Sequence, residues 1–358
     1  MSPSEYSVAS MADQGLYRVA IVGAATLKGK ELKDILQERN FPAAETKLLD
    51  DDESLGQVEA VGDEATFVQS VRPENFEGLD FAFFASEEAF ARTHWRMAAD
   101  KGCLVVDLSY ALENEPGALV RAPWVERELE AGLGVRPPTE LDSTMVVTAH
   151  PASVVLGLLL LRAQKPGALK LATCTVFEPA SEHGRRGMDE LHEQTVNLLS
   201  FQQMPRKVYD AQVAFNMVAR YGEKSQPTLE SVERRIADHL RRTTYDRAII
   251  PSMVLVQAPI FHAHVFSLYI EYDKRVSLGD LSHALTGEHI VIARTAEDSP
   301  SNVNAAGQDE ILLAIRRDTQ HENGFWLWAA ADNLRLCGIE AVDCAAALAR
   351  MRSKGPIQ

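Results

Sequence analysis

The chain has 358 residues, of which 46% are hydrophobic and 24% are charged, a balance typical of globular proteins and not of disordered or fibrous ones. Its length favours two domains, since one hydrophobic core seldom organises so many residues. Acidic residues outnumber basic residues 51 to 36, and the net charge of −15 argues against nucleic acid as a partner because such a surface repels phosphate.

The four cysteines show neither CxxC spacing nor a Cys/His ligand pattern. This favours buried free thiols in a reducing cytoplasm. The small, polar residues 1–15 lack the basic and apolar regions of a signal peptide, so a disordered tail is expected there. The longest apolar run, Val154 to Leu161, is far shorter than the ~20 residues that cross a bilayer, and we expect no membrane insertion.

The first part of the chain alternates short strands with helices. The apolar, β-branched run Tyr17–Val22 predicts a buried strand, and helical spacing follows over Gly29–Gln37. A further helix is predicted over Glu87–Lys101, and further strands at Thr46–Leu49, Phe81–Phe84, Cys103–Leu108 and Met145–Thr148. This alternation predicts an α/β fold with a Rossmann-type doubly wound parallel sheet.

The pattern changes after Pro151. A helix (Ser153–Ala163), a strand (Leu171–Phe177) and a long amphipathic helix (Arg185–Phe201) are predicted first. Strands then dominate, in Val254–Tyr272, Ile290–Ala293, Glu310–Arg316 and Phe325–Ala330, before an alanine-rich final helix, Ile339–Met351. We expect a second, α+β domain with a largely antiparallel sheet, one face of which can meet a partner subunit.

Four segments in this order bring the chain close to a known family: IVGAATLKGKEL (21–32), VVDLSYAL (105–112), FEPASEHGRRGMDELHEQT (177–195) and LWAAADNLR (327–335). On these segments the chain resembles the aspartate-semialdehyde dehydrogenase family from about Tyr17 to Met351. The resemblance implies a Rossmann domain over residues 16–150 plus 332–358 and an inserted substrate and dimerisation domain over 151–331, through which a homodimer forms. It also implies reduction of aspartyl phosphate by NADPH through a covalent thioester, in amino-acid biosynthesis.

The nucleophilic cysteine of the family has no counterpart here. The family pattern Asn-Pro-Asn-Cys-Ser matches AHPAS at 149–153, which places Ala152 at the thiol position. A methyl group cannot form a thioester, and Ser153 has no adjacent general base. We expect Ser153 to cap the helix that follows.

The substrate-binding positions of the family hold different side chains. Glu178 matches a glutamine that orients the substrate, while Glu113 and Gln257 match two arginines. Arginine grips carboxylate and phosphate bidentately, whereas Glu113 would repel an acyl phosphate. The glycine-rich turn of the family is replaced by the bulkier sequence Ser-Glu-His-Gly at 181–184.

Two family positions keep their residue type. His264 matches the acid/base histidine and Glu230 matches a substrate-binding glutamate, although the lysine expected after it is Glu233. Because its partners are replaced, His264 is interpreted as a strand histidine retained by packing in preference to a working general acid. His262 lies on the same face of the strand, but no convincing third ligand is evident, so no metal site is expected.

The phosphate loop of the family reads G-A-T-G-x-V-G, and this chain has GAATLKG at 23–29. Both outer glycines remain, whereas Thr26 replaces the middle one and its Cβ is expected to obstruct close approach of a pyrophosphate. Lys28 offers partial compensation for phosphate charge, although a solvated lysine is the commoner role. The positions matched to cofactor contacts are Gly23, Ala25, Thr26, Leu27, Lys28, Gly29, Asp50, Ser86 and Ser109.

Acids follow the second strand, at Asp50–Asp52, where an arginine would hold the 2′-phosphate of NADP. They reject that phosphate and suit a ribose diol, so NAD is favoured over NADP if the ancestral site works. A solvated acidic loop is the alternative interpretation. Glu87, Glu88 and Glu340 are expected to add negative charge facing the cofactor.

These replacements favour a catalytically inactive, homodimeric member of the family with a binding, regulatory or structural role. The alternative is an active NAD(P)-dependent oxidoreductase that acts on an aldehyde or another carbonyl by altered chemistry, with His264 and Glu178 or Glu230 as acid and base. A third hypothesis is a subunit that partners an active dehydrogenase. The sequence identifies no small-molecule ligand.

Overall fold

Contacts between residues divide the chain into two units. In the computed structural model the described residues are 16–61, 64–135, 144–295 and 297–351. The tail expected over residues 1–15 lies outside them. The first unit comprises the described residues of Met1–Glu130, Val135–Ala149 and Cys337–Gln358. The second unit comprises Ala131–Gly134 and His150–Leu336.

A seven-stranded sheet forms the centre of the first unit. The strands in this part of the chain are β1 (Tyr17–Val22), β2 (Ala43–Asp50), β3 (Val58–Val61), β4 (Glu64–Phe67), β5 (Gln69–Ser70), β6 (Phe81–Phe84), β7 (Leu104–Asp107), β8 (Leu119–Arg121) and β9 (Met145–Thr148). Strands β3 and β4 form a separate antiparallel pair. The helices between these strands are α1 (Leu27–Glu38), α2 (Glu88–Asp100) and α3 (Pro123–Leu133).

The large sheet has the order β5-β2-β1-β6-β7-β9-β8, and every pair in it is parallel. This confirms the predicted doubly wound parallel sheet. Its central strands are apolar along their length because both faces are buried, as in Phe81–Phe84. The strand order reverses between β1 and β6, so the segments that follow these strands meet at the carboxyl edge, where open α/β sheets bind ligands.

The second unit contains a six-stranded sheet. Its strands are β10 (Leu169–Glu178), β11 (Ser252–Gln257), β12 (His264–Tyr272), β13 (Ile290–Ile292), β14 (Ile311–Arg317) and β15 (Gly324–Ala331). The helices of this part are α4 (Pro151–Ala163), α5 (Gly184–Leu199), α6 (Leu229–Thr244), α7 (Leu278–Leu285) and α8 (Asn302–Ala305), and the chain continues into α9 (Asn333–Met351).

The second sheet is mixed. Its order is β11-β10-β12-β15-β14-β13, and the outer pairs β10/β11 and β13/β14 are parallel while the three inner pairs are antiparallel. A largely antiparallel sheet was predicted. Three of the five pairs are antiparallel, which agrees with that prediction, and the β10/β11 pair is parallel because its long connection contains the helices α5 and α6.

Helix α4 is the most enclosed element of the second unit, since all of its residues are buried. A helix that is apolar all round belongs in a core. Among the described residues, no helix has the length and apolar character needed to span a membrane. All four cysteines are free and buried, as predicted.

Candidate functional site

Residues 23–26 form the loop that joins β1 to α1 where the strand order of the first unit reverses, and Gly29 lies in the first turn of α1. Gly23 has a φ of +85°, and a Cβ at this residue would lie 2.5 Å from the backbone nitrogen of Ser86. A Cβ on Gly29 would lie 2.1 Å from the Gly23 carbonyl oxygen. The conformation of the loop therefore requires both outer glycines, irrespective of any ligand.

Thr26 is the N-cap of α1. Its hydroxyl accepts the Gly29 N–H at 3.0 Å and lies 2.8 Å and 2.9 Å from the carbonyl oxygens of Gly23 and Ala85. The side chain thus engages one of the N–H groups that a helix N-terminus offers to phosphate. The sequence predicts a steric effect of Thr26, and the capping role is an addition from the structure.

Asp50, the last residue of β2, is buried at the same edge. Its carboxylate accepts the N–H of Ala25 at 2.7 Å and that of Asp51 at 2.9 Å. Burial raises the pKa of the Asp50 carboxyl, and these two hydrogen bonds oppose the shift. Asp50 therefore holds the loop, at the position where an acid binds the ribose of NAD in Rossmann folds. Asp51 and Asp52 are exposed.

Lys28 folds over the end of β7. Its Nζ donates to the Leu108 carbonyl oxygen at 3.1 Å and lies 4.7 Å from the centre of the Tyr110 ring. The expectation of a solvated lysine is wrong, because the carbonyl and the ring hold the ammonium group. The neighbouring Ser109 donates its N–H and its hydroxyl to the buried Asp107 carboxylate, at 2.8 Å and 2.6 Å.

Glu340 was expected to face a cofactor, and this expectation is wrong. The residue has no exposed surface, and its carboxylate lies 3.4 Å from the Trp124 backbone nitrogen. Burial, with a contribution from Asp343, raises the pKa of Glu340 well above its ordinary value. Glu88 pairs with Arg92 at 2.6 Å on α2.

Two other acids lie at the carboxyl edge of the first sheet. Glu87 is exposed at the N-cap of α2, directly after β6 and Ser86. Glu113 is half-buried in the turn after β7, where its N–H donates to the Tyr110 carbonyl oxygen at 3.3 Å. Carboxylates at these positions repel phosphate and do not attract it.

Ala152 lies in the first turn of α4 and is completely buried. The helix begins at Pro151, and His150 is its N-cap, with Nδ1 accepting the Ala152 N–H at 3.2 Å. Ser153 already lies inside the helix, where its hydroxyl donates to the Ile236 carbonyl oxygen at 2.9 Å. The prediction that Ser153 caps this helix is wrong because His150 has that role.

Glu178 and Gln257 are register partners at the ends of β10 and β11, and both are buried. The Tyr221 hydroxyl lies 3.3 Å from Glu178 Oε1 and 2.8 Å from His183 Nε2. The Gln257 amide nitrogen donates to the carbonyl oxygens of Glu178 and Ala258, at 3.0 Å and 2.8 Å. Two positions that bind substrate in the family therefore form hydrogen bonds inside the protein.

Glu230 is exposed in the first turn of α6, which Thr228 caps. It lines a surface depression together with Tyr221. Glu233, one turn later, accepts the Leu255 N–H at 3.2 Å. Because β11 is an edge strand, Glu233 satisfies an N–H that would otherwise lack a sheet partner.

His264, the first residue of β12, is buried, and neither of its ring nitrogens forms a hydrogen bond within the described part of the chain. Its Nε2 lies 3.8 Å from Glu182 Oε1, and His150 Nε2 lies 3.9 Å from Glu182 Oε2. The sequence did not predict that His150 and Glu182 lie beside His264. The potential ligand atoms of His150, Glu182 and His264 lie within 4.8 Å of one another, and His262 is not part of this group.

Asn333 fixes the position of the Glu182 side chain. Its amide nitrogen donates to Glu182 Oε1 at 2.9 Å. Its amide oxygen accepts the Ser181 hydroxyl at 3.0 Å and the Ala263 N–H at 3.3 Å. No role for Asn333 was predicted, although it stands in one of the four family segments, and the only signal was an Asp-Asn pair before a helix.

Known proteins resemble this chain over most of its length. Residues 18–150 match the semialdehyde dehydrogenase NAD binding domain, and residues 161–336 match the semialdehyde dehydrogenase dimerisation domain. The chain is 30% identical over 319 residues to a USG-1 protein homolog of Pseudomonas aeruginosa, with 88% of this chain and 93% of the relative covered. It is 27% identical over 325 residues to an aspartate-semialdehyde dehydrogenase of Rickettsia bellii, with 89% and 93% covered.

Solved structures give the same picture. A probable aspartate-semialdehyde dehydrogenase from Pseudomonas aeruginosa matches with a TM-score of 0.80 and 27% identity, over 92% of this chain and 97% of that protein. Aspartate semialdehyde dehydrogenase II from Vibrio cholerae matches with a TM-score of 0.82 and 24% identity, over 94% and 99%. The latter similarity establishes the fold.

Proposed function

Because the chain belongs to the semialdehyde dehydrogenase family, we propose that it keeps the family scaffold and lacks the NADPH-dependent reductive dephosphorylation of an acyl phosphate. The observation that carries the proposal is Ala152, which stands buried at the position of the nucleophile. Acyl transfer through a thioester requires a thiolate. The only cysteine of the second unit, Cys174, is buried on β10, and this burial raises its pKa and disfavours the thiolate.

The substrate positions support the same proposal. Glu178 and Gln257 are buried and bonded to each other and to Tyr221. An acyl phosphate would have to displace these hydrogen bonds, and at Gln257 it would meet an uncharged amide where the family offers arginine. The site has therefore lost its affinity for that substrate as well as its nucleophile.

We propose a binding or regulatory role for a homodimer formed through the second unit. The match of residues 161–336 to a dimerisation domain supports this assembly. For the first unit we propose a nicotinamide dinucleotide site that prefers NAD over NADP. Its support is the match to the NAD binding domain together with the acidic end of β2 at Asp50.

A second candidate function is oxidoreduction of an aldehyde or another carbonyl without covalent catalysis. It is favoured by the largely buried side chains of His264 and Glu182, which lie 3.8 Å apart. A histidine beside a carboxylate is a common arrangement for general acid–base catalysis. This second function predicts that the chain oxidises NADH when a carbonyl substrate is present.

The test of the proposal is an assay of aspartate-semialdehyde oxidation in the presence of inorganic phosphate and NADP⁺ or NAD⁺. The wild-type chain and its Ala152→Cys variant are compared with a relative that has the cysteine. Absence of turnover in the wild-type chain, under conditions where the relative is active, supports the proposal.

A further inference from the structure

We infer that His150, Glu182 and His264 form a binding site for one divalent transition-metal ion of the Zn²⁺ class. Two imidazoles and one carboxylate are a ligand set with which Zn²⁺ keeps a fourth position open for water or a ligand. The inference goes beyond the proposed function and does not depend on the absence of thioester chemistry, since it concerns only the three side chains and the ion.

The spacing of the three side chains suits a shared ion. The Nε2 atoms of His264 and His150 lie 3.8 Å and 3.9 Å from the two oxygens of Glu182, which is too long for a hydrogen bond. Ligands about 2.0–2.1 Å from a tetrahedral Zn²⁺ are about 3.4 Å from each other. Small rotations of these side chains therefore bring all three onto one ion.

His264 supplies an independent observation. Its ring is 1% exposed, and both of its nitrogens are without a hydrogen-bond partner in the described residues. Buried polar atoms in native proteins are nearly always satisfied, so an orphaned imidazole directed at a carboxylate indicates a missing partner. An ion between His264 and Glu182 satisfies the ring and neutralises the enclosed carboxylate together.

The surroundings hold these ligands in place. Asn333 donates to Glu182 Oε1 and is itself fixed by Ser181 and Ala263. The His150 backbone N–H donates to His239 Nδ1 at 3.0 Å. Outer hydrogen bonds of this kind orient the ligands of metal sites and strengthen metal binding.

Coordination by His150 has one consequence for protons. A neutral imidazole has a single lone pair, and Nδ1 of His150 uses it to accept the Ala152 N–H. When Nε2 binds the ion, the ring proton moves to Nδ1 and the capping bond is lost. The free energy lost with this capping bond is small compared with the free energy of Zn²⁺ binding at a protein site.

The experiment uses the full chain after treatment with a chelator and dialysis. Calorimetric titration with Zn²⁺ measures stoichiometry and affinity, and titration with Co²⁺ reports geometry through the intense visible absorption of tetrahedral Co²⁺. We expect one ion per chain and a tetrahedral Co²⁺ spectrum that Zn²⁺ abolishes. These readouts require no variant.

Variants locate the ion. Glu182→Gln and His264→Gln should each weaken Zn²⁺ binding by about 100-fold or more, and Asn333→Ala by about 10–100-fold. His262→Gln is the matched control, because this histidine lies two residues from His264 and outside the group, and its affinity should equal that of the wild type. Thermal unfolding with and without Zn²⁺ verifies that each variant folds and repeats the comparison.

Three results would overturn the inference. They are binding of less than one ion per wild-type chain, an octahedral Co²⁺ spectrum, and equal Zn²⁺ affinity in the wild type and in the Glu182→Gln and His264→Gln variants. The first of these would mean that the gap between the side chains holds water or a shared proton.

Discussion

The Tyr221 hydroxyl lies 2.6 Å from the side-chain oxygen of Gln257. Gln257 occupies a position that the sequence matched to a substrate-binding arginine, and it now accepts a hydrogen bond from a buried residue of the same unit. A buried hydroxyl and a buried amide satisfy each other at low cost, whereas separation leaves both without partners. The position therefore serves stability in this chain.

Tyr221→Phe should destabilise the second unit by about 1–3 kcal/mol, because it leaves the buried Gln257 oxygen without its donor. The control is Tyr269→Phe, since the buried Tyr269 hydroxyl has no hydrogen-bond partner among the described residues. Thermal and urea unfolding of both variants measure the difference. Equal effects of the two substitutions would show that the hydrogen bond to Gln257 contributes nothing.

Thr26→Ala should destabilise the first unit by about 1 kcal/mol, the usual cost of losing a helix N-cap. Thr26→Ser keeps the hydroxyl that Gly29 needs and should be close to the wild type. Unfolding by urea measures both. A Thr26→Ala variant as stable as Thr26→Ser would contradict the capping role.

Thr26→Gly restores the middle glycine of the phosphate loop and frees the Gly29 N–H. We expect tighter binding of NADH than in the wild type, at a stability cost of a few tenths of a kcal/mol, since glycine is itself an acceptable N-cap. Calorimetric titration measures the affinity. Unchanged or weaker NADH binding in Thr26→Gly would argue against Thr26 as the residue that limits dinucleotide binding.

The wild-type chain should bind NADH at least about tenfold more tightly than NADPH, because the acidic end of β2 repels a 2′-phosphate. Titration with both dinucleotides at low ionic strength tests this preference. The proposal of an NAD-type site is rejected by tighter NADPH binding or by the absence of binding of either dinucleotide at millimolar concentration.

Glu340→Gln should stabilise the first unit near neutral pH. The folded-state pKa of Glu340 lies well above its ordinary value of 4.5, so the folded chain holds this proton more tightly than the unfolded chain. The stability that the protonated group contributes is present below the unfolded pKa and is lost as the pH rises through the folded pKa. Glutamine imitates the protonated form and has no such loss.

The unfolding temperatures of the wild type and of Glu340→Gln should therefore differ most at pH 8 and become similar near pH 4.5. Thermal unfolding between pH 4 and pH 8 measures this difference. Asp34→Asn, which changes an exposed carboxylate on α1, is the control and should show no comparable gain. A Glu340→Gln variant that is less stable than the wild type at pH 8 would contradict a raised pKa of Glu340 in the folded chain.

Much of the fold could be predicted from the sequence. The apolar runs at β1, β6 and β9 are strong signals because parallel central strands are buried on both faces. The family resemblance drawn from four short segments is confirmed by the matches to both domains. Helix α6 was not predicted, although its charged and apolar residues alternate with helical spacing.

Local hydrogen bonds limited the prediction of boundaries. The final helix was expected to start at Ile339, whereas α9 starts at Asn333. The carboxylate of Asp332 accepts the N–H groups of Leu334 and Arg335 at 2.9 Å and 3.0 Å, which is the capping arrangement typical of aspartate. Asp332, a typical capping residue, is the sequence signal for this start.

The candidate site was harder to predict because its residues are distant in sequence. Position-by-position comparison with the family identified the replacements at Ala152, Glu178 and Gln257. It could not show that His150 and Glu182 lie beside His264, because three separate elements bring them together. The proposed metal ligands have no regular spacing in the sequence. His262, which the sequence offered as a partner of His264, is not one of them.

The absence of thioester chemistry can be measured as the absence of phosphate-dependent oxidation of aspartate semialdehyde. Formation of NADPH or NADH is followed at high protein concentration, with a relative that has the cysteine as the positive control. We predict no phosphate-dependent turnover by the wild-type chain, and none by Ala152→Cys, since Glu113 and Gln257 still occupy the positions of the arginines. Phosphate-dependent formation of reduced dinucleotide by the wild-type chain would contradict the account.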